Sequence, residues 1–502
     1  MRMINVKEFY WNTDVIKRIL EYCGVPAEET NNFGIEDWAQ RLFDSQNLRD
    51  MDPKMTVEYI AGWGNNLERV QGKKASSRFN WQLGQLLDLE LNLFRSVWDK
   101  QKLTFLLDVE YVCKRFPKES YVNQEATFRK LEPYYKCLMD IFAEYKIKPM
   151  TLVTGQGYHF VFDINSYDRD FRDPGRKVTD VANKLVEIGS LEETLKGKYE
   201  FVPSNTKRPR RVTQELGRAY DTIGMLMEFI VHKTISRVCT YDETVPPTIG
   251  DVTIGNLMHE SVNLDLSTYA SPIFTRVMRT AFSVHDKHRD WSKDIGAGHI
   301  PVQITIPRYT PCNGNELELW EVFNNRRHFQ NAANYAAAIN TNVPQFNGQL
   351  MKLIKEYQSS KLAEFHRNFN SANSDAPWDW WQTYDKYDSR ELPPCVSTAL
   401  NDPNPALLQP NHLQALTRVL MKKGWPPAHI AGLVRSKYER NHGWELNWGK
   451  YDANRHSRAW VRWYAGLIID GLDNKTDLNC VSYQERKLCT GAGCGYNLEG
   501  YK

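Results

Sequence analysis

Leu103-Thr104-Phe105-Leu106-Leu107-Asp108-Val109-Glu110 is the stretch on which the reading of this chain turns. Its first five residues have the length and apolar character of a buried strand, and the run ends by delivering two carboxylates two positions apart. Successive side chains of a strand point to opposite faces, so Asp108 and Glu110 project from the same one. Carboxylates held that close repel each other, and a shared proton or a bound cation relieves the repulsion. An acidic pair at this spacing is also common on the solvent face of ordinary strands, so the pair alone leaves both readings open.

Working outward, a helical pattern from about 125 to 145 is followed by Pro149-Met150-Thr151-Leu152-Val153, which leads into Thr154-Gly155-Gln156-Gly157-Tyr158-His159 and out through Phe160-Val161-Phe162. Glycine tolerates positive φ and close backbone approach, so this turn either cradles an anion with exposed N–H groups, Thr154 and His159, or is a tight hairpin with a hydrogen-bonded histidine. Asn263-Leu264-Asp265-Leu266 sets a third acid in an apolar context, where an unpaired charge is costly to bury. Strands carrying Asp108, Glu110 and Asp265 side by side would form an oxygen-rich site for Mg²⁺ or Mn²⁺. Arg276, Arg279, Ser283, His285 and Lys287 then crowd four cations and a hydroxyl into twelve residues, which suits an anion pocket or a solvated charged surface.

The 502 residues, 41% apolar and 25% charged, exceed what one core usually occupies. Residues 1–99 read as mostly helical, with apolar spacing in Val15-Ile16-Ile19-Leu20 and Leu83-Leu86-Leu87-Leu89 and a break at Gly62-Trp63-Gly64. Residues 100–310 read as an α+β sheet domain, which includes a helix carrying Val178, Val181, Leu185 and Ile188 and a basic run, Lys207-Arg208-Pro209-Arg210-Arg211, on an exposed loop. Residues 311–392, rich in Asn, Trp and Pro, read as a bridging segment. Residues 393–502 form a mainly helical last domain, with one helix around Leu413, Leu416 and Leu420 ended by Gly424 and another around Trp460, Tyr464, Leu467 and Ile468 ended by Gly471.

A net charge of +3, from 64 basic and 61 acidic residues, excludes histone-like binding, so any nucleic acid must bind to local patches. The N-terminus lacks the apolar region of a secretory signal, and no segment reaches the roughly 18 consecutive apolar residues of a membrane span. The expectation is a soluble, cytoplasmic or intracellular protein with no membrane partner. In a reducing compartment its nine cysteines are buried thiols or metal ligands. Cys480, Cys489 and Cys494 lie close together among Gly and Thr, and Cys395 stands far upstream. Such a set suits a tetrahedral sulfur site, either an iron–sulfur cluster or zinc. Cys23, Cys113, Cys137, Cys239 and Cys312 are scattered and read as ordinary thiols.

The ordered set Asp108-Val109-Glu110, Thr154-Gly155-Gln156-Gly157-Tyr158-His159, Asp265, then Arg279 with Ser283-Val284-His285 and Lys287 resembles the catalytic subunit of archaeo-eukaryotic primases and the related primase-polymerases. The resemblance covers roughly 100–310 and implies an RRM-like sheet core. It also implies that Asp108, Glu110 and Asp265 bind Mg²⁺ or Mn²⁺, and that Thr154, Gly155, Gly157 and His159 hold phosphate. Arg279, Ser283, His285 and Lys287 would complete the nucleotide pocket. Gln156 departs from the basic residue often found between the glycines, and Asp286 stands where many relatives carry a small neutral residue. The segment from Pro393-Pro394-Cys395 onward is similar to the iron–sulfur domain of the primase large subunit, which implies a [4Fe–4S] cluster on Cys395, Cys480, Cys489 and Cys494, with Zn²⁺ as the alternative.

The function these features imply is primer synthesis on a single-stranded DNA template from nucleoside triphosphates, by two-metal nucleotidyl transfer. The alternatives are a polymerase that mainly extends a primer/template duplex in repair or bypass, and a non-catalytic nucleic-acid-binding replication factor. The absence of a Walker A sequence means that a separate replicative helicase must unwind DNA if the protein acts at a fork.

Overall fold

The computed structural model describes residues 4–26, 55–64, 83–97, 99–190, 200–201, 210–211, 213–239, 245–250, 260–270, 276–285, 287, 303–401, 409–439, 453–473, 479–491 and 493–501. The strands are β1 (Ile60–Trp63), β2 (Asn92–Ser96), β3 (Lys102–Cys113), β4 (Met150–Val153), β5 (Gly157–Asn165), β6 (Glu200–Phe201) and β7 (Arg210–Arg211), of which β3, β4 and β5 are built on apolar runs. Further along come β8 (Pro247–Thr248), β9 (Glu260–Asp265), β10 (Val277–Arg279), β11 (Val284–His285), β12 (Gln303–Ile304), β13 (Ile306–Thr310) and β14 (Asn315–Glu316). The principal sheet runs β14-β13-β4-β5-β3-β9-β8, with β8 parallel to β9 and its other neighbours antiparallel. The expected α+β class is what the chain adopts.

β3 is the spine of that sheet. Leu103 to Leu107 are buried throughout, and from Asp108 onward burial alternates, so that Asp108, Glu110 and Val112 share the more open face. Helix α5 (Gln124–Glu144) follows α1 (Val6–Tyr10), α2 (Thr13–Tyr22), α3 (Leu83–Asp88) and α4 (Glu119–Val122). It covers the other face, with Phe142 against Phe160 and Phe162 and Tyr135 against Tyr158. Those β5 residues alternate with His159, which therefore turns toward the face of the acids. α6 (Asp180–Ile188) and α7 (Gln214–Val238) pack together, and α7 also packs on β3.

Several sequence expectations change on folding. Gly62 and Trp63, read as a helix break, form β1, where a Cβ on Gly62 would collide with Leu86 and Leu91. β1 pairs with β2, and β2 pairs with β10, so the N-terminal portion is built into the strand that carries Arg279. Val178 is exposed and precedes the helix, which starts after the Thr179 cap because the Thr179 hydroxyl accepts the Ala182 N–H. The segment read as a bridge supplies β14, α8 (Leu319–Arg326), α9 (Phe329–Ala338), α10 (Asn347–Gln358) and α11 (Lys361–Ser371). Part of it lies along β5, where the Asp163 N–H donates to the Pro344 carbonyl and the Phe346 N–H to the Asp163 carbonyl.

The C-terminal helices are α12 (Pro394–Asn401), α13 (Pro410–Lys422), α14 (Pro427–Tyr438), α15 (Ala453–Ile469) and α16 (Cys480–Glu485). Gly424 and Gly471 follow α13 and α15 with positive φ, as helix stops do. α15 packs against α11, α13 and α14, and its Arg462 reaches α7, donating to Glu228 at 3.1 Å and lying 3.6 Å from Asp221. Among the described residues no helix is long and apolar enough to cross a membrane.

Candidate active site and cysteine cluster

In the β3–β9 ladder Asp108 is the register partner of Asp265, and Glu110 that of Asn263. On the other side, in the β3–β5 ladder, Asp108 pairs with His159 and Glu110 with Gly157. The two ladders therefore bring all three acids and His159 together, with His159 Nε2 3.4 Å from Asp108 Oδ2. Burial, and next the charge of Asp108, raise the Asp265 carboxyl above its ordinary value, against the N–H and hydroxyl of Ser267, which donate to its two oxygens at 2.8 and 2.9 Å. Asp108 Oδ1 and His159 Nδ1 are buried without a hydrogen-bond partner among the described residues.

This donor set fits a hard divalent ion. Asp108, which has one orphaned carboxylate oxygen, is the register partner of a second carboxylate, Asp265, and Mg²⁺ commonly takes one or two carboxylates and completes its shell with water and phosphate oxygens. As the side chains stand, no group of three or more His, Cys, Asp or Glu among the described residues is placed to hold a metal ion.

The turn from Thr154 to Gly157 joins β4 to β5. Both the N–H and the hydroxyl of Thr154 donate to the Gly157 carbonyl, at 2.8 and 3.1 Å. A Cβ at Gly157 would overlap the Val109 carbonyl oxygen, and one at Gly155 would overlap the His285 imidazole. The second overlap reveals that His285, on β11, packs directly on the turn; its ring also lies 5.9 Å from that of Tyr121. Arg279 on β10 donates to Asn92 Oδ1 and the Val284 carbonyl, both at 3.0 Å, with its guanidinium 4.6 Å from the centre of the Phe94 ring. Desolvation pushes the Lys287 ammonium below the ordinary lysine value; Glu110 and Asp108 pull upward, and Arg279 adds to the fall.

Ser283 is placed differently from a pocket hydroxyl. It is fully buried, accepts the Leu93 N–H at 2.8 Å and donates to the Val284 carbonyl at 2.9 Å, which ties this loop to β2. Asp286 and Lys207-Arg208-Pro209 lie outside the described residues.

Three features escaped sequence reasoning. Asn263 lies on the face of Asp265, is buried, and has Oδ1 without a partner among the described residues; the two-residue spacing was the available signal. A cleft of about 350 Å³ opens beside the acids, lined by Glu110, Asn263, Asp265 and Gln156 and by Pro410 and Trp460 of the C-terminal helices. Arg326 of α8, wholly buried, donates to the Thr154 carbonyl at 2.8 Å. Nothing in the local sequence marks either contribution, because both come from segments remote from the strands. A larger cavity of about 460 Å³, lined by Arg218, Tyr357, His366 and Asn370 among others, lies elsewhere and includes none of the acids.

Cys395 on α12 is buried and Cys494 exposed, with Cys480 and Cys489 between these extremes. Burial first, and then the charges of Cys489, Cys480 and Cys494, push the Cys395 thiol up to about 12; as the side chains stand, these cysteines, all among the described residues, are not grouped to hold a metal ion. The Leu498 N–H donates to Cys480 Sγ at 3.4 Å. Gly493 and Gly495, both with positive φ and open space where a Cβ would sit, flank Cys494.

Comparison with protein-family models, with curated proteins and with solved structures finds no match.

Proposed function

We propose that this chain is a template-directed nucleotidyltransferase of the primase type, which makes primers on single-stranded DNA from nucleoside triphosphates. The observation that carries this reading is the meeting of Asp108, Glu110 and Asp265 on one sheet face beside a glycine turn on which His285 packs. Asp108, Glu110 and Asp265 would hold Mg²⁺ or Mn²⁺, and such ions stabilise both the attacking 3′-oxygen and the leaving pyrophosphate. The chain's own part is orientation. The backbone at Gly155 and Gly157, with His159 and His285, receives phosphate oxygens, while Lys287 and Arg279 add positive charge; Thr154, expected from the sequence to hold phosphate, closes the turn instead, since its N–H and hydroxyl both donate to the Gly157 carbonyl. In this reading Ser283 shapes the pocket through the backbone. Cys395, Cys480, Cys489 and Cys494 hold a [4Fe–4S] cluster or Zn²⁺ in the helical domain that engages template and primer/template duplex, and a separate helicase supplies the single strand.

Incubation of the purified protein with single-stranded template, nucleoside triphosphates and Mg²⁺ or Mn²⁺ tests this, with labelled oligonucleotide as the readout. De novo product supports priming. Product only from a pre-annealed primer replaces it with the extension reading. No product with either metal, with or without primer, sinks the polymerase assignment and leaves a non-catalytic nucleic-acid-binding factor.

A further inference from the structure

The Thr154–Gly157 turn carries no cation of its own, since its residues are Thr, Gly, Gln and Gly. Behind it stands Arg326, at the last position of α8, with no exposed surface. One guanidinium nitrogen donates to the Thr154 carbonyl at 2.8 Å, whereas Nε and Nη1 are buried without a partner among the described residues. A buried guanidinium is normally matched by a carboxylate, because an uncompensated charge in the interior is costly. Here the charges acting on it most strongly are two further cations, Arg327 and Arg279, and two phenols, Tyr158 and Tyr121. Burial and the neighbouring cations push Arg326 down to about 9. Tyr158 already hydrogen-bonds to Glu132, which is itself ion-paired with Arg308, so its oxygen is committed elsewhere. The arrangement is a positive site missing its anion, directly behind a turn whose front is built of glycine.

We propose that Arg326 is a positioning residue for a bound polyphosphate: it anchors the turn through the Thr154 carbonyl and supplies, from behind, the positive charge that the turn lacks. The ligand class is the triphosphate of a nucleotide, so the inference rests on the nucleotidyltransferase reading and extends it to a residue outside the strands. Arg279 and Arg326 then act on the anion from two elements, β10 and α8, and Tyr121 lies within reach of both charges while packing on His285.

The experiment is calorimetric binding of inorganic tripolyphosphate and of a nucleoside triphosphate, each with Mg²⁺, to the full chain and to Arg326→Gln, Arg326→Lys and Arg327→Gln. Loss of a charge-assisted hydrogen-bonding group predicts affinity about 10- to 100-fold weaker for Arg326→Gln with both ligands. Arg326→Lys keeps the charge and recovers part of the loss. Arg327→Gln, which removes a neighbouring cation but no hydrogen bond to the turn, weakens binding less than Arg326→Gln does, because Arg327 is already paired with Glu125 at 3.3 Å and lies on the Phe323 ring. Ligand-induced rise in melting temperature is measured alongside; a merely structural role would lower every melting temperature and leave the rise intact. If Arg326→Gln does not fold, the same two readouts on Arg326→Lys decide, with an affinity and a rise equal to the parent's overturning the proposal. Parent-like affinity in a folded Arg326→Gln overturns it while the nucleotidyltransferase reading stands. A parent protein that binds neither ligand removes both.

Discussion

Asp108 and Asp265 stand directly opposite each other on neighbouring antiparallel strands, β3 and β9. Directly opposed residues have Cβ atoms about 4.5–5.5 Å apart, and like charges in such pairs destabilise a sheet. The pair is therefore a local cost to folding that a cation would offset. Mg²⁺ or Mn²⁺ should raise the melting temperature of the protein. Asp265→Asn should raise the metal-free melting temperature, remove most of the metal effect and abolish synthesis. Asp108→Ala and Glu110→Ala should also fold and be inactive. Thermal melts with and without metal, beside a primer-synthesis assay, check this; near-normal synthesis in these variants would end the metal-ligand assignment.

Gly157 and Gly155 predict different failures. A methyl group at Gly157 meets the Val109 backbone, which cannot swing aside, so Gly157→Ala should cost about 1–3 kcal/mol and displace the turn from Glu110. At Gly155 the obstacle is the end of the His285 side chain and not backbone. Gly155→Ala should fold almost normally and raise the apparent KM for triphosphate, as should His285→Ala and His159→Ala, with DNA binding preserved. Unaltered triphosphate kinetics in the last three variants would remove the histidines from the pocket.

The cysteine cluster separates iron from zinc. Protein purified without oxygen should be brown and contain about four irons per chain if the four thiols hold a [4Fe–4S] cube. Replacing Cys480 or Cys489 with Ser should bleach the visible absorption and weaken initiation more than extension. Stoichiometric zinc without iron, in protein never exposed to air, would overturn the cofactor assignment and leave the polymerase proposal intact.

Asp163 offers a pH test of the sheet itself. It is buried on β5, and desolvation lifts its carboxyl to about 6 against the pull of Lys102 and Arg95. A folded-state value above the unfolded one means that the native state binds the extra proton. The stability associated with that proton is fully present below the unfolded value, near 3.8, and is lost as pH rises through about 6. A shift of this size corresponds to about 3 kcal/mol. Asp163→Asn should therefore raise the melting temperature at pH 7 and flatten its dependence between pH 4 and 7. Denaturation curves across that range check the sign, and an Asn variant less stable than the parent at pH 7 would contradict it.

Side-chain period and chain punctuation are local properties, and they were legible in the sequence. The apolar run into Asp108 and Glu110 determined a strand with both acids on one face, while Gly424 and Gly471 marked the ends of α13 and α15. Pairing is not local. Which strand lies beside β3 depends on how the whole core closes, so only the tertiary structure set Asp265 and His159 on either side of Asp108. The same closure turned the apparent break at Gly62 into β1, because a residue without Cβ fits against Leu86 and Leu91. It also committed the Ser283 hydroxyl to backbone partners and brought Arg326 from α8 to the Thr154 carbonyl. Sequence alone determines which residues can carry charge; the environment that makes a charge costly exists only once distant segments have packed together.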